Sequence, residues 1–297
     1  MALFAFEFIR NIDSFLKVNQ DHKVNVDFSP HGHLLLSTTD FAEKLYDNFV
    51  LQKALNVSSL LMNRQEIEEK FPWINCTDIE GATVGLDCEG WFDTNKLMSA
   101  LQEKAHYLGV NYIIGEVNRL EPYAKSMLYN SHAYFPHRKS FNYRPLRYAH
   151  VSLSNGHQSK IEFASCINCA GPWTKDILEK ADMDSSFLSC EKVLKHVFVV
   201  RPPETFCEET GKLTSPGLDA PFIHDTSGLY VQRMGLTGNF AVYKSYDEGS
   251  VIKSDAAELI WLQKMDGETL KKFYEENIKK NLVRRIPAME NAQVKIY

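Results

Sequence analysis

A mixed α/β fold is what this sequence predicts, and three observations predict it. A helix-patterned run, Asp93 to Leu108, is followed after Gly109 by a strand-like run, Val110 to Val117, and helix-then-strand at that spacing is half of a βαβ unit. A second strand, Lys160 to Asn168, leads through Gly171-Pro172 directly into a short helix. Beyond Asp182 the pattern changes to short strands divided by glycine and proline turns, which reads as antiparallel sheet.

The chain has 297 residues, enough for about two domains of roughly 100–200 residues. Apolar residues at 44% and charged residues at 24% are those of an ordinary globular protein, and no run reaches the roughly 18 apolar residues of a membrane span. Lys and Arg number 33 against 38 Asp and Glu, a net charge of −5, the wrong sign for holding phosphate backbone, so no nucleic-acid partner is expected. Six irregularly spaced cysteines do not make a secreted disulfide framework.

Taken in order, the first residues suit an apolar helix face through Leu3, Phe6, Ile9, Phe15 and Leu16, and the absence of a preceding strand implies a missing upstream piece. His33–Ser37 reads as a buried strand, and Asp40–Leu55 as a helix with Phe41, Leu45 and Phe49 on its inner face. Asn63–Lys70 is a shorter helix stopped by Pro72. Asp93 or Thr94 caps the next helix, with Leu97, Leu101, Ala105 and Leu108 sharing a face. Residues 122–158 read as a polar, aromatic insertion ending in the Asn155-Gly156 turn. Strands are then expected over Lys192–Val200, Phe222–Asp225, Leu229–Arg233 and Phe240–Tyr243, a short helix over Ser254–Trp261, and a longer one over Asp266–Arg285. The expected division is 1–90 as helical and substrate-domain segments, 91–182 as a partial cofactor domain, and 183–297 as a β-rich cap.

Cys166-Ile-Asn-Cys169 has dithiol spacing but no second pair, and strand alternation sends its sulfurs to opposite faces, so it reads as core packing. The histidines, including His31 and His33, lack metal-ligand spacing and read as turn and surface residues. The basic and aromatic run Arg138–His150 reads as a solvated loop. The Asn168–Trp173 turn is different: ligands of open α/β sheets sit beyond the carboxyl ends of strands, where small residues admit a cofactor. Position alone leaves a purely structural turn open.

Asn168-Cys-Ala-Gly-Pro-Trp173 resembles the Asn-x-Ala-Gly-x-Trp turn of the D-amino-acid oxidase family of flavoproteins. Phe71–Asn75, Glu89–Asp93, Gly115–Leu120 and Asp225–Arg233 extend the resemblance in order along the chain. It implies an incomplete Rossmann-like FAD-binding domain beside an antiparallel substrate domain, because the family's opening Gly-x-Gly-x-x-Gly is nowhere in this sequence. By the same resemblance the cofactor is FAD, with Val117, Ala170 and Gly171 on its adenine side and Trp173 also among the cofactor-binding residues. Amine oxidation would then send a hydride equivalent to the flavin. Tyr230 and Arg233 either anchor a substrate carboxylate or form an exposed sheet pair. The branch of the family that it resembles implies a mitochondrial location and respiratory complex I subunits or assembly intermediates as partners. The alternative is a non-catalytic assembly or scaffold protein without bound flavin.

Overall fold

The computed structural model describes residues 2–86, 89–122, 146–188, 196–204, 208, 211, 214–245 and 266–295. Most of the run Arg138–His150, the helix expected over Ser254–Trp261 and the start of the Lys192–Val200 strand lie outside the described residues. The chain divides into a larger unit, residues 1–109, 194–251 and 256–297, and a smaller one, residues 110–193 and 252–255.

The larger unit opens with α1 (Ala2–Arg10) and α2 (Ile12–Leu16). Their buried Ile9, Ile12 and Leu16 gather with Val24, Val26 and Ala100 into a small core of their own, joined by Leu97. Leu3 and Phe15, expected on the inner face, are exposed. β1 (His33–Ser37) falls where alternation predicts it. α3 (Ala42–Ala54) follows; it fully buries none of its residues, and of the expected inner face Leu45 and Phe49 are half-buried while Phe41, just before the helix, is exposed. β2 (Ser59–Asn63) leads into α4 (Arg64–Lys70), where Asn63 and Glu66 form a reciprocal capping box that satisfies two orphan donors of the first turn. β3 (Gly81–Gly85) precedes α5 (Thr94–Tyr107), whose N-cap is Asp93: its carboxylate accepts from the Asn95 and Lys96 amides. Of the helix's own residues only Ala100 is buried; Leu101 is exposed, as is Leu108 just after the helix, against expectation.

The smaller unit holds β4 (Gly115–Pro122), β5 (Leu146–Leu153) and β6 (Gln158–Glu162), an antiparallel meander in that order. Two expectations are corrected here. The strand read over Val110–Val117 begins at Gly115, and Val117 pairs antiparallel with Val151 rather than beside a parallel neighbour. The strand read over Lys160–Asn168 ends at Glu162, and residues 163–170 take neither strand nor helix. The Asn155-Gly156 turn forms as predicted, with the Gly156 amide donating to Leu153 O at 2.9 Å. α6 (Thr174–Glu179) comes after a single 3-10 turn at Gly171–Trp173.

The larger unit is completed by β7 (Phe198–Arg201), β8 (Phe222–His224), β9 (Leu229–Arg233), β10 (Phe240–Lys244), α7 (Gly267–Tyr274), α8 (Lys280–Arg285) and β11 (Gln293–Lys295). Its sheet has eight strands in the order β11-β7-β10-β9-β8-β1-β3-β2. Every neighbouring pair is antiparallel except β1 with β8, which run parallel with His33 opposite Phe222 and Leu35 opposite His224. One face buries Leu34, Leu36, Phe198, Val200, Ile223, Leu229, Val231, Phe240 and Val242 in one core with Tyr274, Ile278 and Leu282. Between α7 and α8 lies a π-helical turn, Glu275–Lys279, and of the residues expected inward on the helix over Asp266–Arg285, Ile278 and Leu282 are buried and Leu270 and Phe273 half-buried, with Tyr274 buried beside them. Among the described residues no helix is long and apolar enough to cross a membrane.

Candidate functional site

In the smaller unit the Asn168–Trp173 turn is held from within. Asn168 Oδ1 accepts from the Ala170 amide and its Nδ2 donates to Thr174 O, both at 3.1 Å, while Thr174 Oγ1 donates to Gly171 O at 2.7 Å. The asparagine is therefore a clasp, which explains the residue type at that position. Gly171 sits at φ +53° with nothing within 4 Å of where a Cβ would be. The left-handed backbone asks for glycine there, while the space above it stays open.

Beside this turn lies an open cavity of about 400 Å3, within the size range of small-molecule sites. Val117, Leu120, Phe163, Cys166, Cys169 and Ala170 contribute to its wall. Val117 and Ala170, two of the four cofactor-side residues expected from the sequence, thus share one cavity. Gly171 and Trp173 do not line it, and Trp173 is 54% exposed. Cys166 and Cys169 are free thiols, both exposed and on the same cavity, which corrects their reading as core residues on opposite faces. The alternation argument fails because the segment is not a strand.

The walls fit one end of FAD and not its middle. A cavity that is apolar apart from Ser165, Asn168 and two thiols suits a flat ring, but none of the residues lining it is cationic, and α6 has only six residues. Two phosphates would lose hydration there without charged side chains to replace it.

The larger unit carries a second constellation on the half-buried face of its sheet. Strand alternation aligns His224 with Tyr230 and Tyr230 with Tyr243 across β8, β9 and β10. Tyr230 stacks on Tyr243 at 5.0 Å between centroids and meets the His224 ring edge-on at 4.9 Å. His33 Nδ1 and His224 Nε2 lie 3.0 Å apart, so the two rings share one hydrogen. Burial, then the neighbouring His33, pushes His224 down to about 4. Burial also lowers His33, with Glu89 acting in the opposite direction. Both rings are neutral at pH 7, and the surface reading of His33 is corrected. Among the described residues no three His, Cys, Asp or Glu side chains are placed to hold a metal.

Tyr230 and Arg233 do not converge. Three positions along β9 put them on opposite faces, with Leu229, Val231 and Arg233 on the buried side. Arg233 is only 3% exposed, so it forms neither an exposed sheet pair nor a joint carboxylate anchor with Tyr230.

Sequence reading missed a buried ionic knot. Arg285, fully buried, donates from Nε to Asp225 Oδ1, from Nη1 to Asn75 O, and from Nη2 to Asp78 at 3.1 Å. Arg284 Nη2 lies 3.6 Å from the same Asp225. Burial pushes the Asp225 carboxyl up, but the Arg285 charge and hydrogen bonds from Ser227 and Arg285 outweigh it, leaving the pKa below the usual range. The only signal in the sequence was the arginine pair before Pro287, which periodicity treats as a helix end.

Comparison with known proteins agrees with this architecture. The chain is 29% identical to the FAD-dependent oxidoreductase domain-containing protein 1 of Xenopus laevis over 304 residues, covering 99% of the chain and 56% of that protein. It is likewise 29% identical to the protein of the same name from Bos taurus, covering 57% of it. The chain thus spans a little over half the length of these curated relatives. Glycine oxidase from Bacillus cereus ATCC 14579 superposes with a TM-score of 0.59 at 13% identity, over 99% of this chain and 65% of that one. L-proline dehydrogenase from P. horikoshii gives 0.60 at 16% identity, over 99% and 64%. At those identities the likeness is one of fold. The family profile described as FAD dependent oxidoreductase matches residues 5–295, and the chain belongs to that family, the D-amino-acid oxidase type.

Proposed function

We propose that this chain supplies the adenine-side wall and the substrate-facing sheet of an FAD-dependent oxidoreductase that oxidises an amine or amino acid. The observation that carries the reading is the open apolar cavity joining Val117 to Ala170 at the clasped Asn168–Trp173 turn. Val117, Ala170 and the backbone at Gly171 are the proposed adenine contacts. Trp173, outside the cavity, starts the helix that follows. The His33, His224, Tyr230 and Tyr243 face is the proposed substrate side, where neutral rings and a phenol hold a polar substrate without adding charge. The diphosphate requires donors other than the cavity's own side chains.

FAD fluorescence anisotropy tests this on the purified chain. FAD is expected to bind weakly and AMP to displace it with an affinity within about tenfold, since both present the same adenine end and the diphosphate gains little. Ala170→Phe, which fills the cavity, is expected to abolish binding without unfolding the chain. Failure of AMP to compete, or wild-type binding by Ala170→Phe, overturns the proposal.

A second reading is supported by the motif resemblance and by the apolar surface of the smaller unit, where Ile113, Ile114 and Ile167 are exposed, the last at 85%. In it the chain serves as a non-catalytic partner in assembly of respiratory complex I in mitochondria. Co-sedimentation with purified complex I assembly intermediates, retained when Ala170→Phe has lost adenine binding, supports that reading; no co-sedimentation removes it.

A further inference from the structure

The guanidinium of Arg233 is buried without an ion pair among the described residues. Its Nη2 donates to Ser29 Oγ, while Nη1 has no hydrogen-bond partner among the described residues. Asp219 acts on it electrostatically, but not as a salt bridge. Burial, and then Arg233 itself, holds the neighbouring His31 below its ordinary pKa, so that ring adds no second charge at neutral pH. A cation kept out of water in this way costs several kcal/mol unless something compensates it.

Arg233 lines a cavity together with Ser29, His31, Gly32, Trp91 and Gln232. Gly32 is fixed there at φ +67°, and a Cβ on it would lie 1.9 Å from Gly85 O, so the wall cannot be thickened from that side. The volume, about 20 Å3, decides what fits: it holds one water-sized body and excludes a carboxylate or phosphate. A water would satisfy Nη1 and add no negative charge beyond the unbonded Asp219. A single-atom anion would satisfy Nη1 and add that charge.

We propose that the cavity beneath Arg233 is a binding site for a small monovalent anion of halide size. Bound there, the anion ties β9 to the loop around Ser29, which itself pairs with Trp91 through amide bonds of 2.7 and 2.9 Å. The site does not depend on the flavin or on the proposed reaction.

Two measurements on the full chain test it. In crystals soaked with bromide, an anomalous peak is expected within hydrogen-bond reach of Arg233 Nη1. In solution, at ionic strength held constant with sodium gluconate, chloride or bromide is expected to raise the melting temperature saturably by about 3 °C. Acetate is expected to leave it unchanged, and Arg233→Met to lose the halide dependence. A water with no bromide at Nη1, an equal shift with acetate, or halide dependence that survives Arg233→Met overturns the proposal. Should Arg233→Met fail to fold, the bromide map and the chloride-against-gluconate titration on the unaltered chain decide the matter.

Discussion

The two units of this chain solve the burial problem to different degrees. The larger one closes a continuous core, from Leu34 and Ile67 through Val231 and Phe240 to Leu282 and Ile286, and pins its C-terminal helix to the sheet with the Arg285 knot. Among the described residues of the smaller unit only Leu120, Val151 and Ala181 are buried apolar side chains, while Val110, Tyr112, Ile113, Ile114 and Ile167 are exposed. Three buried side chains do not offset the ordering of a three-stranded sheet and its turns, at roughly 1–2 kcal/mol of backbone entropy per residue. The lesson is that the candidate cofactor cavity sits in the unit least able to stabilise itself, so ligand binding there is expected to be coupled to stability.

The largest expected effect breaks the well-packed side of this comparison. Arg285→Met strips the buried Asp225 of its bonded guanidinium and leaves it only Ser227 and the partly exposed Arg284 at 3.6 Å, and urea unfolding is expected to show a loss of about 3 kcal/mol. A loss under about 1 kcal/mol would mean that the knot is not what anchors the helix. Hydrogen exchange sharpens the contrast directly. Amides of β4 and β5 are expected to exchange at least ~100-fold faster than those of β8–β10, and equal protection would erase the distinction between the units.

The next effect in size is a pH dependence confined to the larger unit. The folded-state pKa of His224 lies below the ordinary 6.5, at about 4, so the unfolded state binds more protons between those values. The stability that the neutral pair confers is complete above about pH 6.5 and is lost as pH falls through about 4. With the rings partly exposed and titrating as a pair, the loss is expected to be about 2 kcal/mol. His224→Gln should flatten that slope in denaturation curves taken from pH 7 to 4; an unchanged slope assigns it elsewhere. Smallest is the cap at α5: Asp93→Ala is expected to cost about 1 kcal/mol in the same unfolding measurement, through loss of the bonds to Asn95 and Lys96.

How much of this was legible in the sequence follows from how local each feature is. His33–Ser37 and Leu229–Arg233 were readable because alternation is written within five residues, and the Asn63 and Asp93 helix starts because capping is written within three or four. The His33–His224 pair was not, since its members are 191 positions apart and meet only through the parallel pairing of β1 with β8. The Asp225–Arg285 contact joins residues 60 apart and carries no periodic signal. The turn at Asn168–Trp173 was visible as a motif. Its clasp and its shared cavity with Val117 were not, because apolar runs such as Val110–Val117 look alike whether or not a neighbouring strand covers them.

Photoaffinity labelling with 8-azido-AMP tests the central claim most directly. The account expects label on the peptide spanning Phe163 to Trp173, suppressed by excess FAD and absent in Ala170→Phe. Label confined to peptides of the eight-stranded unit, or labelling of Phe163 to Trp173 that FAD does not suppress, would contradict it.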